Sequence, residues 1–583
     1  MTKTKISWLP WSKESFDKAH TQDKPILLGI SAVWCHWCHV MDQTTYSDSV
    51  VARLIEENFV PIRVDRDQRP DIDKRYNMGG WPTTAFLTPD GEVLTGGTYF
   101  PPQQMLVLLD HISSVYKKEK ADLKQQIREL KQQKPQIPQA ECELDGEVYQ
   151  SVVDALMLHV ASRFDSVYGG FGDAPKFPFT EALRLTLLHN RLAGHQAALN
   201  IVKKTLSSMQ SGGVYDHEDG GFFRYSTTKD WSVPHYEKMC EDNAKLLMTF
   251  LEAYQVTGDN RFKETAKGIL GYVSTKLSDQ KKGGFYGSQD ADEEYYKLSL
   301  KERANKTAPR IDQTLYVNWN ALMVSGFLLA GTVLDEPSYH GFAYKTVDYI
   351  LDKAYNPTQG MSHYVQEGKG FLSGLLADQV YMVKCLTDCY QVSMEKKFLD
   401  KALTIAQFML DRLWDADEGG FFDKPVDGDA LGALKLLDKP LEENSAAVEA
   451  MLRLHHFTGE QHFLDTAKRV LDFFAVNVQR YGVMGAVYGL AVEMYLRPLV
   501  VHVVGSKKDE TTKQFVVKCL KTYYPLKVVQ VLDPNQDKVR LAALGYPAGD
   551  VPLAYVCFGG TCNTVNDPNK VADYIKGASD ANN

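Results

Sequence analysis

A glycine-rich turn recurs along most of this chain. Its near-copies are Gly169-Gly170-Phe171, Gly220-Gly221-Phe222, Gly283-Gly284-Phe285 and Gly419-Gly420-Phe421, with Gln359-Gly360-Met361 and Tyr481-Gly482-Val483 in equivalent places. Glycine adopts positive φ and allows close backbone approach, so such turns join tightly packed elements. The turns are roughly 50–76 residues apart. Repeats at such a spacing indicate one supersecondary unit used many times. Six turns therefore predict six hairpins.

The segments between these turns have helical patterns. The run Asn318-Trp319-Asn320-Ala321-Leu322-Met323-Val324 is apolar nearly all round, as expected of an inner helix. An aromatic residue followed by alanine four positions later recurs at 262/266, 339/343, 398/402 and 463/467. A closed ring of six helix pairs buries an inner layer, which a flat array does not. We therefore predict an all-α (α/α)6 toroid over residues 145–498.

The first 115 residues have a different pattern. An apolar strand, Ile26-Leu27-Leu28-Gly29-Ile30-Ser31, precedes Trp34-Cys35-His36-Trp37-Cys38-His39 and a helical segment. A second apolar strand follows, and then Trp81-Pro82 introduces a third strand and a turn at Thr88-Pro89-Asp90-Gly91. This order is typical of the thioredoxin fold. We therefore predict a thioredoxin-like α/β domain over residues 1–115 and a charged helical linker over residues 116–144.

The cysteine pair suits thiol–disulfide chemistry. A cysteine at a helix N-terminus faces unpaired N–H groups and the positive end of the helix dipole, which lower its pKa. We predict that Cys35 is the attacking thiolate and that Cys38, one turn later, resolves the mixed disulfide. Pro82 falls where thioredoxin-like proteins place a cis proline, with Trp34 and Trp81 beside the pair.

Other interpretations of this motif remain open. The sequence Cys35-His36-Trp37-Cys38-His39 also spells a C-x-x-C-H haem attachment site. A zinc site could use His36 or His39, although it would need further ligands. The domain could also be a redox-silent scaffold. We predict no cofactor and no metal.

The predicted hairpin loops are rich in acids, histidines and aromatic residues. Loops of such a ring collect at one end, where polar groups could act as acid and base on a sugar-like substrate. The alternative is that these groups cap helices and bind turn backbone, and a metal at His217, His235 and Glu237 is a further alternative. The candidate pocket residues are Asp216, His217, Arg224, His235, Glu237, Asp242, Asp290, Asp292, Trp319, Asn320 and Asp378.

Residues 499–583 read as a small α/β region. Apolar strands at Val500-Val501-His502-Val503-Val504 and Leu526-Lys527-Val528-Val529-Gln530-Val531 flank a predicted helix. Cys557 and Cys562 surround Gly559-Gly560 and could form a disulfide, bind a metal or remain buried thiols. A sharper hypothesis is that they form a second thiol pair that exchanges disulfides with Cys35 and Cys38.

Composition narrows the possible partners. The formal net charge of −9, without an offsetting basic stripe, argues against nucleic-acid binding. No apolar run is long enough to span a membrane, and the N-terminal residues 1–7 contain no apolar run of signal-peptide length, so we predict no membrane partner and a cytoplasmic location. The expected partners are a thiol or disulfide protein or a sugar-like small molecule.

Together these motifs resemble the thioredoxin-domain family that includes the spermatogenesis-associated thioredoxin-like protein and its bacterial relatives. The resemblance covers nearly the whole chain and implies a thioredoxin-like domain fused to a six-hairpin toroid similar to glycosidases and N-acylglucosamine 2-epimerases. The segments that carry it are Lys24-Pro25-Ile26-Leu27-Leu28, Trp37-Cys38-His39-Val40-Met41, Val64-Asp65-Arg66, Arg69-Pro70-Asp71-Ile72-Asp73, Gly80-Trp81-Pro82, Gly97-Thr98-Tyr99-Phe100-Pro101, Ala174-Pro175-Lys176-Phe177-Pro178 and Val233-Pro234-His235-Tyr236-Glu237-Lys238-Met239.

Three functions follow as hypotheses. The first is a thiol–disulfide oxidoreductase whose toroid pocket binds a partner or a sugar-like substrate. The second is a carbohydrate-active enzyme, an epimerase, isomerase or glycoside hydrolase, with the thioredoxin domain as scaffold or lid. The third is a noncatalytic binding protein. The intact CxxC motif and its proline favour the first.

Overall fold

A computed structural model describes residues 5–132, 144–547, 549 and 551–578. The chain divides into two compact units, one of residues 1–138 with 424–438 and one of residues 139–423 with 439–583. Part of the predicted linker, residues 133–143, lies outside the described residues.

The first unit is a four-stranded sheet with helices. Strands and helices are numbered along the whole chain. The elements of this unit are α1 (Lys13–Gln22), β1 (Ile26–Ser31), α2 (His36–Gln43), α3 (Ser49–Asn58), β2 (Val60–Asp65), α4 (Pro70–Tyr76), β3 (Thr83–Leu87), β4 (Val93–Gly97) and α5 (Pro102–Gln132). The helix α5 begins in the predicted first domain and continues through much of the predicted linker.

The strand order is β2-β1-β3-β4. Strand β1 runs parallel to β2 and antiparallel to β3. Both central strands are almost wholly buried, because β1 and β3 carry apolar or small residues on both faces. This order and these directions are those of a thioredoxin-like domain, and the predicted fold class is confirmed.

A distant segment of chain completes this unit. Residues 424–438 belong to it, and Ala430 and Leu434 join the core cluster that contains Trp11, Phe16 and Tyr76. The Tyr76 hydroxyl donates to Gly91 O at 2.7 Å and accepts from the backbone N–H of Ala433 at 2.7 Å. The sequence pattern places this segment in the predicted toroid, over residues 145–498, and the structure corrects that boundary.

Twelve helices of the described residues, six outer and six inner, form the ring of the second unit. The outer helices are α6 (Gly146–Arg163), α8 (Gln196–Ser211), α10 (Asn260–Lys276), α14 (Pro337–Ala354), α16 (Lys396–Arg412) and α18 (Gln461–Ala475). The inner helices are α7 (Thr180–Ala193), α9 (Cys240–Thr257), α13 (Val317–Val333), α15 (Leu376–Ser393), α17 (Leu441–Thr458) and α19 (Ala486–Leu496).

The inner helices close into a ring. Each packs on the next, and α19 packs on α7, while every inner helix also packs on one outer helix. The last inner helix, α19, pairs with the first outer helix, α6, so the two ends of the helical sequence close the ring. The helix α13 is buried on nearly all sides, as predicted for an inner helix. The predicted (α/α)6 toroid is therefore confirmed.

Short elements occupy the loops of the toroid. They are β5 (Tyr225–Ser226), β6 (Pro234–His235), β7 (Lys238–Met239), β8 (Ser288–Gln289), α11 (Glu293–Tyr296), α12 (Leu300–Arg303), β9 (Ile311–Asp312), β10 (Leu315–Tyr316), β11 (Tyr355–Asn356), β12 (Gly360–Gln366) and β13 (Lys369–Ser373). No helix among the described residues has both the length and the apolar composition needed to cross a bilayer.

The C-terminal region is the predicted α/β appendix. Its elements are β14 (Val500–Val504), α20 (Glu510–Lys521), β15 (Val528–Leu532), α21 (Lys538–Leu544), β16 (Leu553–Phe558), β17 (Thr561–Val565) and α22 (Val571–Gly577). The strand order is β15-β14-β16-β17, with β14 parallel to β15 and antiparallel to β16. This order and connectivity repeat those of β1 to β4, so the appendix has a second thioredoxin-like topology.

Candidate functional sites

The first candidate site is the cysteine pair. Cys35 is the N-cap residue of α2, and its Sγ accepts a hydrogen bond from the backbone N–H of Cys38 at 3.2 Å. The two residues form a disulfide and are 4% and 3% exposed, respectively. The helix N-terminus places partial positive charge at this sulfur, which stabilises a thiolate. The Trp81–Pro82 peptide is cis, as predicted.

Two tryptophans of the same domain, Trp34 and Trp81, are held by buried acids. Trp34 Nε1 donates to Asp67 Oδ2 at 2.6 Å, and Trp81 Nε1 donates to Asp73 Oδ1 at 2.8 Å. The Arg66 guanidinium lies 4.4 Å from the Trp81 ring centroid and forms ion pairs of 3.2 Å with Asp67 and 3.6 Å with Asp73. These three charged residues are absent from the predicted site, although acids are frequent in the segment after β2.

An exposed aromatic side chain marks the same motif. Trp37 is 49% exposed, and its ring centroid lies 5.3 Å from that of Tyr99. Exposed large apolar side chains at a reactive centre provide contact area for a protein partner.

In the second unit, Asp216 belongs to a repeated turn. Its carboxylate accepts hydrogen bonds from Lys238 Nζ at 2.7 Å and Arg303 Nη1 at 2.8 Å. Its own backbone closes the turn with Gly220 and Gly221. Asp165 with Lys176 and Asp415 with Lys439 form the same carboxylate–ammonium pair at two of the other glycine turns, those at Gly169 and Gly419, at 2.8 and 2.7 Å. This geometry matches the alternative in which Asp216 stabilises the turn and does not act on a substrate.

Asn320 has a repeated structural position too. Its side-chain amide accepts from the backbone N–H of Phe285 at 2.7 Å and donates to Phe285 O at 2.9 Å. The residues that make the same pair of bonds to the other turns are Asn243, Gln379 and Asn444. Each lies one turn into an inner helix and attaches the preceding loop to it.

A third group, the loop-end cluster, consists of His235, Glu237, Asp290 and Asp312. His235 Nδ1 donates to Glu237 Oε2, and the Tyr225 ring stacks on His235 with centroids 4.9 Å apart. Glu237 is fully buried, and its Oε1 has no hydrogen-bond partner among the described residues. Burial raises the pKa of Asp290 to about 7, with Arg310 opposing the rise and Asp312 and Glu237 adding to it.

Asp378 forms a separate buried pair. Its Oδ2 lies 2.9 Å from His363 Nδ1, and its Oδ1 accepts from the backbone N–H of Asn318 at 3.2 Å. Burial raises the pKa of Asp378, and His363 opposes that rise. His363 was missed because it lies in β12, outside any motif that the sequence displays. Trp319 is buried against Tyr316, with ring centroids 4.4 Å apart.

The remaining loop candidates have local roles or solvent-exposed positions. Asp292 accepts from the backbone N–H of Tyr295 at 2.9 Å and caps α11. His217 is exposed, with Nε2 3.1 Å from Gly212 O. The backbone N–H of Arg224 donates to Glu237 O at 2.9 Å, and Asp242 lies in the first turn of α9.

A cavity follows the centre of the ring, and sequence analysis did not find it. It is lined by residues of all six inner helices and by residues 520–527 of the C-terminal region. None of the eleven predicted toroid residues lines this axial cavity. Its charged side chains lie on helices whose sequences have an ordinary amphipathic pattern. No local motif therefore predicts that these residues line a cavity.

Cys557 and Cys562 form a cross-strand disulfide. They lie directly opposite each other on β16 and β17, with Cα atoms 4.0 Å apart, on either side of the Gly559-Gly560 turn. Cys562 is exposed. Of the three sequence interpretations, the disulfide is the one that the structure contains.

These features define a class of protein: a thioredoxin-like CxxC domain combined with an (α/α)6 toroid. Residues 1–134 match the family described as Thioredox_DsbH, protein of unknown function, DUF255. The chain is similar to human spermatogenesis-associated protein 20, with 27% identity over 97% of this chain and 89% of that protein. The predicted family resemblance is thereby confirmed.

Two further similarities concern sugar-active proteins. Cellobiose 2-epimerase of Bacteroides fragilis is 32% identical over 75 residues, which are 13% of this chain and 19% of that protein. The solved structure of cellobiose 2-epimerase from Bacillus thermoamylovorans has a TM-score of 0.47 at 13% identity, covering 56% of this chain and 86% of that one.

Proposed function

We propose that this protein is a thiol–disulfide oxidoreductase with Cys35 and Cys38 as its redox centre. The observation that carries the proposal is the bonded cysteine pair at the first turn of α2, with Trp34 directly before Cys35 in the chain and the Trp34 and Trp81 ring centroids 6.0 Å apart. Nearly complete burial of both sulfurs restricts access to substrates that fit closely around the pair.

The reaction is a two-step disulfide exchange. In the reduced protein, the Cys35 thiolate attacks a substrate disulfide, forms a mixed disulfide and releases one substrate thiolate. The Cys38 thiolate then attacks Cys35 Sγ, which forms the intramolecular disulfide and releases the second substrate thiolate. Two electrons pass from the protein dithiol to the substrate, and an external dithiol restores the reduced state.

Neighbouring side chains support this assignment. The helix N-terminus favours the Cys35 thiolate. Arg66, Asp67 and Asp73 fix Trp34 and Trp81, and the exposed Trp37 offers apolar contact area to a substrate protein. A peptide disulfide is therefore the substrate class that we expect.

The first test is the reduction potential of the pair. Thiol trapping across glutathione and dithiothreitol redox series should give one two-electron transition for this pair, in the range of about −270 to −120 mV found for thioredoxin-like proteins. Cys35→Ser should abolish insulin disulfide reduction, and Cys519→Ser, which changes a buried cysteine of the other unit, should retain it. Absence of the transition, or full activity of Cys35→Ser, would contradict the proposal.

A second candidate function is acid–base chemistry on a sugar in the loop-end cluster. The observation that favours it is the contact between His235 and the buried Glu237, close to an Asp290 carboxyl whose pKa lies near neutrality. Groups with pKa values near the working pH transfer protons most effectively. Stacking of Tyr225 on His235 adds an aromatic surface, as sugar sites commonly have.

Cellobiose in D2O is the probe for this candidate. Epimerisation at carbon 2 removes a proton and returns one to the opposite face, so the product would carry deuterium at that carbon. We expect His235→Ala to abolish the exchange and His217→Ala, a change at an exposed histidine, to leave it intact. If the wild-type protein leaves cellobiose unlabelled, the acid–base candidate fails for this sugar without affecting the redox proposal.

A further inference from the structure

The axial cavity ends against the C-terminal region. Gln255, near the end of α9, donates through Nε2 to Lys521 O at 2.8 Å, and Gln391, near the end of α15, accepts from the backbone N–H of Val529 at 2.7 Å. Gln530 Nε2 donates to Phe457 O, near the end of α17, at 3.0 Å. The C-terminal region thus covers the carboxyl ends of three inner helices.

Most charges in the cavity are already paired. Arg184 donates three hydrogen bonds to the Glu252 carboxylate, the shorter two at 2.8 and 2.9 Å. Arg453 pairs with Asp388, and Lys384 Nζ lies 2.6 Å from Glu449. These pairs join neighbouring inner helices and cancel one another's charge.

Among the described cations of the cavity, Lys527 is the exception. It lines the cavity, yet it forms no ion pair among the described residues and donates only to the backbone oxygens of Thr522 at 2.7 Å and Tyr524 at 3.5 Å. Burial lowers its pKa to about 8, while Cys519 and Glu252 oppose that change. The ammonium group therefore remains mostly protonated at neutral pH and adds an uncompensated positive charge to this end of the cavity.

Two further donors are unused. The Tyr523 side chain is 7% exposed and lines the cavity, and its buried hydroxyl has no hydrogen-bond partner in the described part of the chain. Arg453 Nε is likewise buried without a partner there. Leaving a buried polar group unpaired costs about 1–3 kcal/mol, so a ligand oxygen accepting from these groups would offset a real cost.

We infer that this end of the axial cavity, lined by Arg453, Tyr523 and Lys527, binds the oxyanion of a small hydroxylated molecule. The ammonium supplies the charge, and the hydroxyl and the guanidinium Nε–H supply directed donors. Ser325, Thr332 and Gln391 line the same cavity and suit the hydroxyl groups of such a ligand. A sugar carboxylate and a sugar phosphate share this chemistry.

The inference is independent of both proposed functions. The cavity residues include neither Cys35 and Cys38 nor any residue of the loop-end cluster. A loss of disulfide reduction would therefore not contradict this inference, and a loss of anion binding would not contradict the proposed redox function.

Calorimetric titration of the full chain tests it with D-glucuronate, glucose 6-phosphate and, as the neutral control, D-glucose. We expect at least one anion to bind with a Kd below about 1 mM and glucose to bind at least tenfold more weakly, a difference of about 1.4 kcal/mol. Preference for glucuronate or for glucose 6-phosphate distinguishes a carboxylate ligand from a phosphate ligand.

Two variants locate the site. Tyr523→Phe removes a hydroxyl that bonds to nothing among the described residues, so we expect unchanged thermal stability and at least fivefold weaker anion binding. Lys527→Met should weaken binding at least tenfold, whereas Lys518→Met, the same change at an exposed lysine, should not alter it. The inference is overturned if neither anion binds, if glucose binds equally well, or if Tyr523→Phe and Lys527→Met bind the anion as wild type does.

Discussion

Lys245 and Glu442 lie on opposite inner helices of the toroid, and Lys245 Nζ is 2.8 Å from Glu442 Oε1. The helices α9 and α17 are three positions apart around the ring in either direction. Their ion pair therefore crosses the centre of the ring. Lys245 precedes Glu252 by seven residues, about 10 Å along a helix, so the crossing lies well away from the proposed anion site.

The two glutamates of α17 that form ion pairs in the cavity should differ in their contribution to stability. Glu442 is 47% exposed and Lys245 keeps Glu241 as a second partner, so Glu442→Gln should cost no more than about 1 kcal/mol. Glu449 is 7% exposed and pairs with Lys384, so Glu449→Gln should cost about 3 kcal/mol. Urea unfolding of both variants measures the difference, and equal losses would contradict the assignment of burial as the cause.

Asp216→Asn should destabilise the fold by about 3–5 kcal/mol, because it leaves the buried cations Lys238 and Arg303 without their shared carboxylate. Burial alone would raise the pKa of Asp216, but Lys238 and Arg303 lower it. Its contribution to stability is therefore present above the unfolded-state pKa and is lost as pH falls through the folded-state value. Asp173→Asn, at a solvent-exposed aspartate, is the control; full stability of Asp216→Asn would show that the ion pairs are dispensable.

Asp290 should make stability fall as pH rises. Because its pKa is raised to about 7, the folded state holds a proton that the unfolded state releases near pH 4. The associated stability is complete below pH 4 and is lost as pH rises through 7. Between pH 4 and pH 8, wild type should lose about 2 kcal/mol more unfolding free energy than Asp290→Asn, about half of what the full pKa shift implies, because solvent screens this partly exposed carboxyl. Asp292→Asn, which keeps a residue suited to capping, should follow the wild-type profile, and parallel profiles for all three proteins would contradict the raised pKa.

The Cys557–Cys562 disulfide should be reducible without loss of the fold, because the ladder between β16 and β17 pairs five residues on each strand. Replacing both cysteines with serine should cost about 2 kcal/mol, the value expected for closing so short a loop. In the reduced protein, iodoacetamide should label Cys562, whereas the buried Cys240 and Cys519, whose pKa values are raised by burial, should react slowly.

The proposed exchange between this pair and Cys35–Cys38 predicts mixed disulfides when either Cys38 or Cys557 is replaced by serine. Mass spectrometry of the protein after mild oxidation would detect them. Inert Cys557 and Cys562 in the native reduced protein would rule the exchange out.

The local patterns of the sequence determined the two main folds. Buried strands read as apolar runs, and each glycine turn needs a residue that tolerates positive φ, so strand order near Cys35 and the six hairpins are visible without coordinates. The placement of Cys35 as the N-cap of α2 and of Pro82 before β3 followed from the same patterns. These features depend on neighbours in the chain, which the sequence displays directly.

The tertiary structure decided what the charged residues do. The sequence predicts Asp216 as a candidate acid. In the structure its carboxylate is paired with Lys238 and Arg303, which lie 22 and 87 residues later in the chain. Residues 424–438 join the thioredoxin-like core, and Tyr523 and Lys527 reach the toroid cavity, through contacts between distant parts of the chain. Pairing over such distances depends on how the helices close into a ring, and local periodicity does not encode that closure.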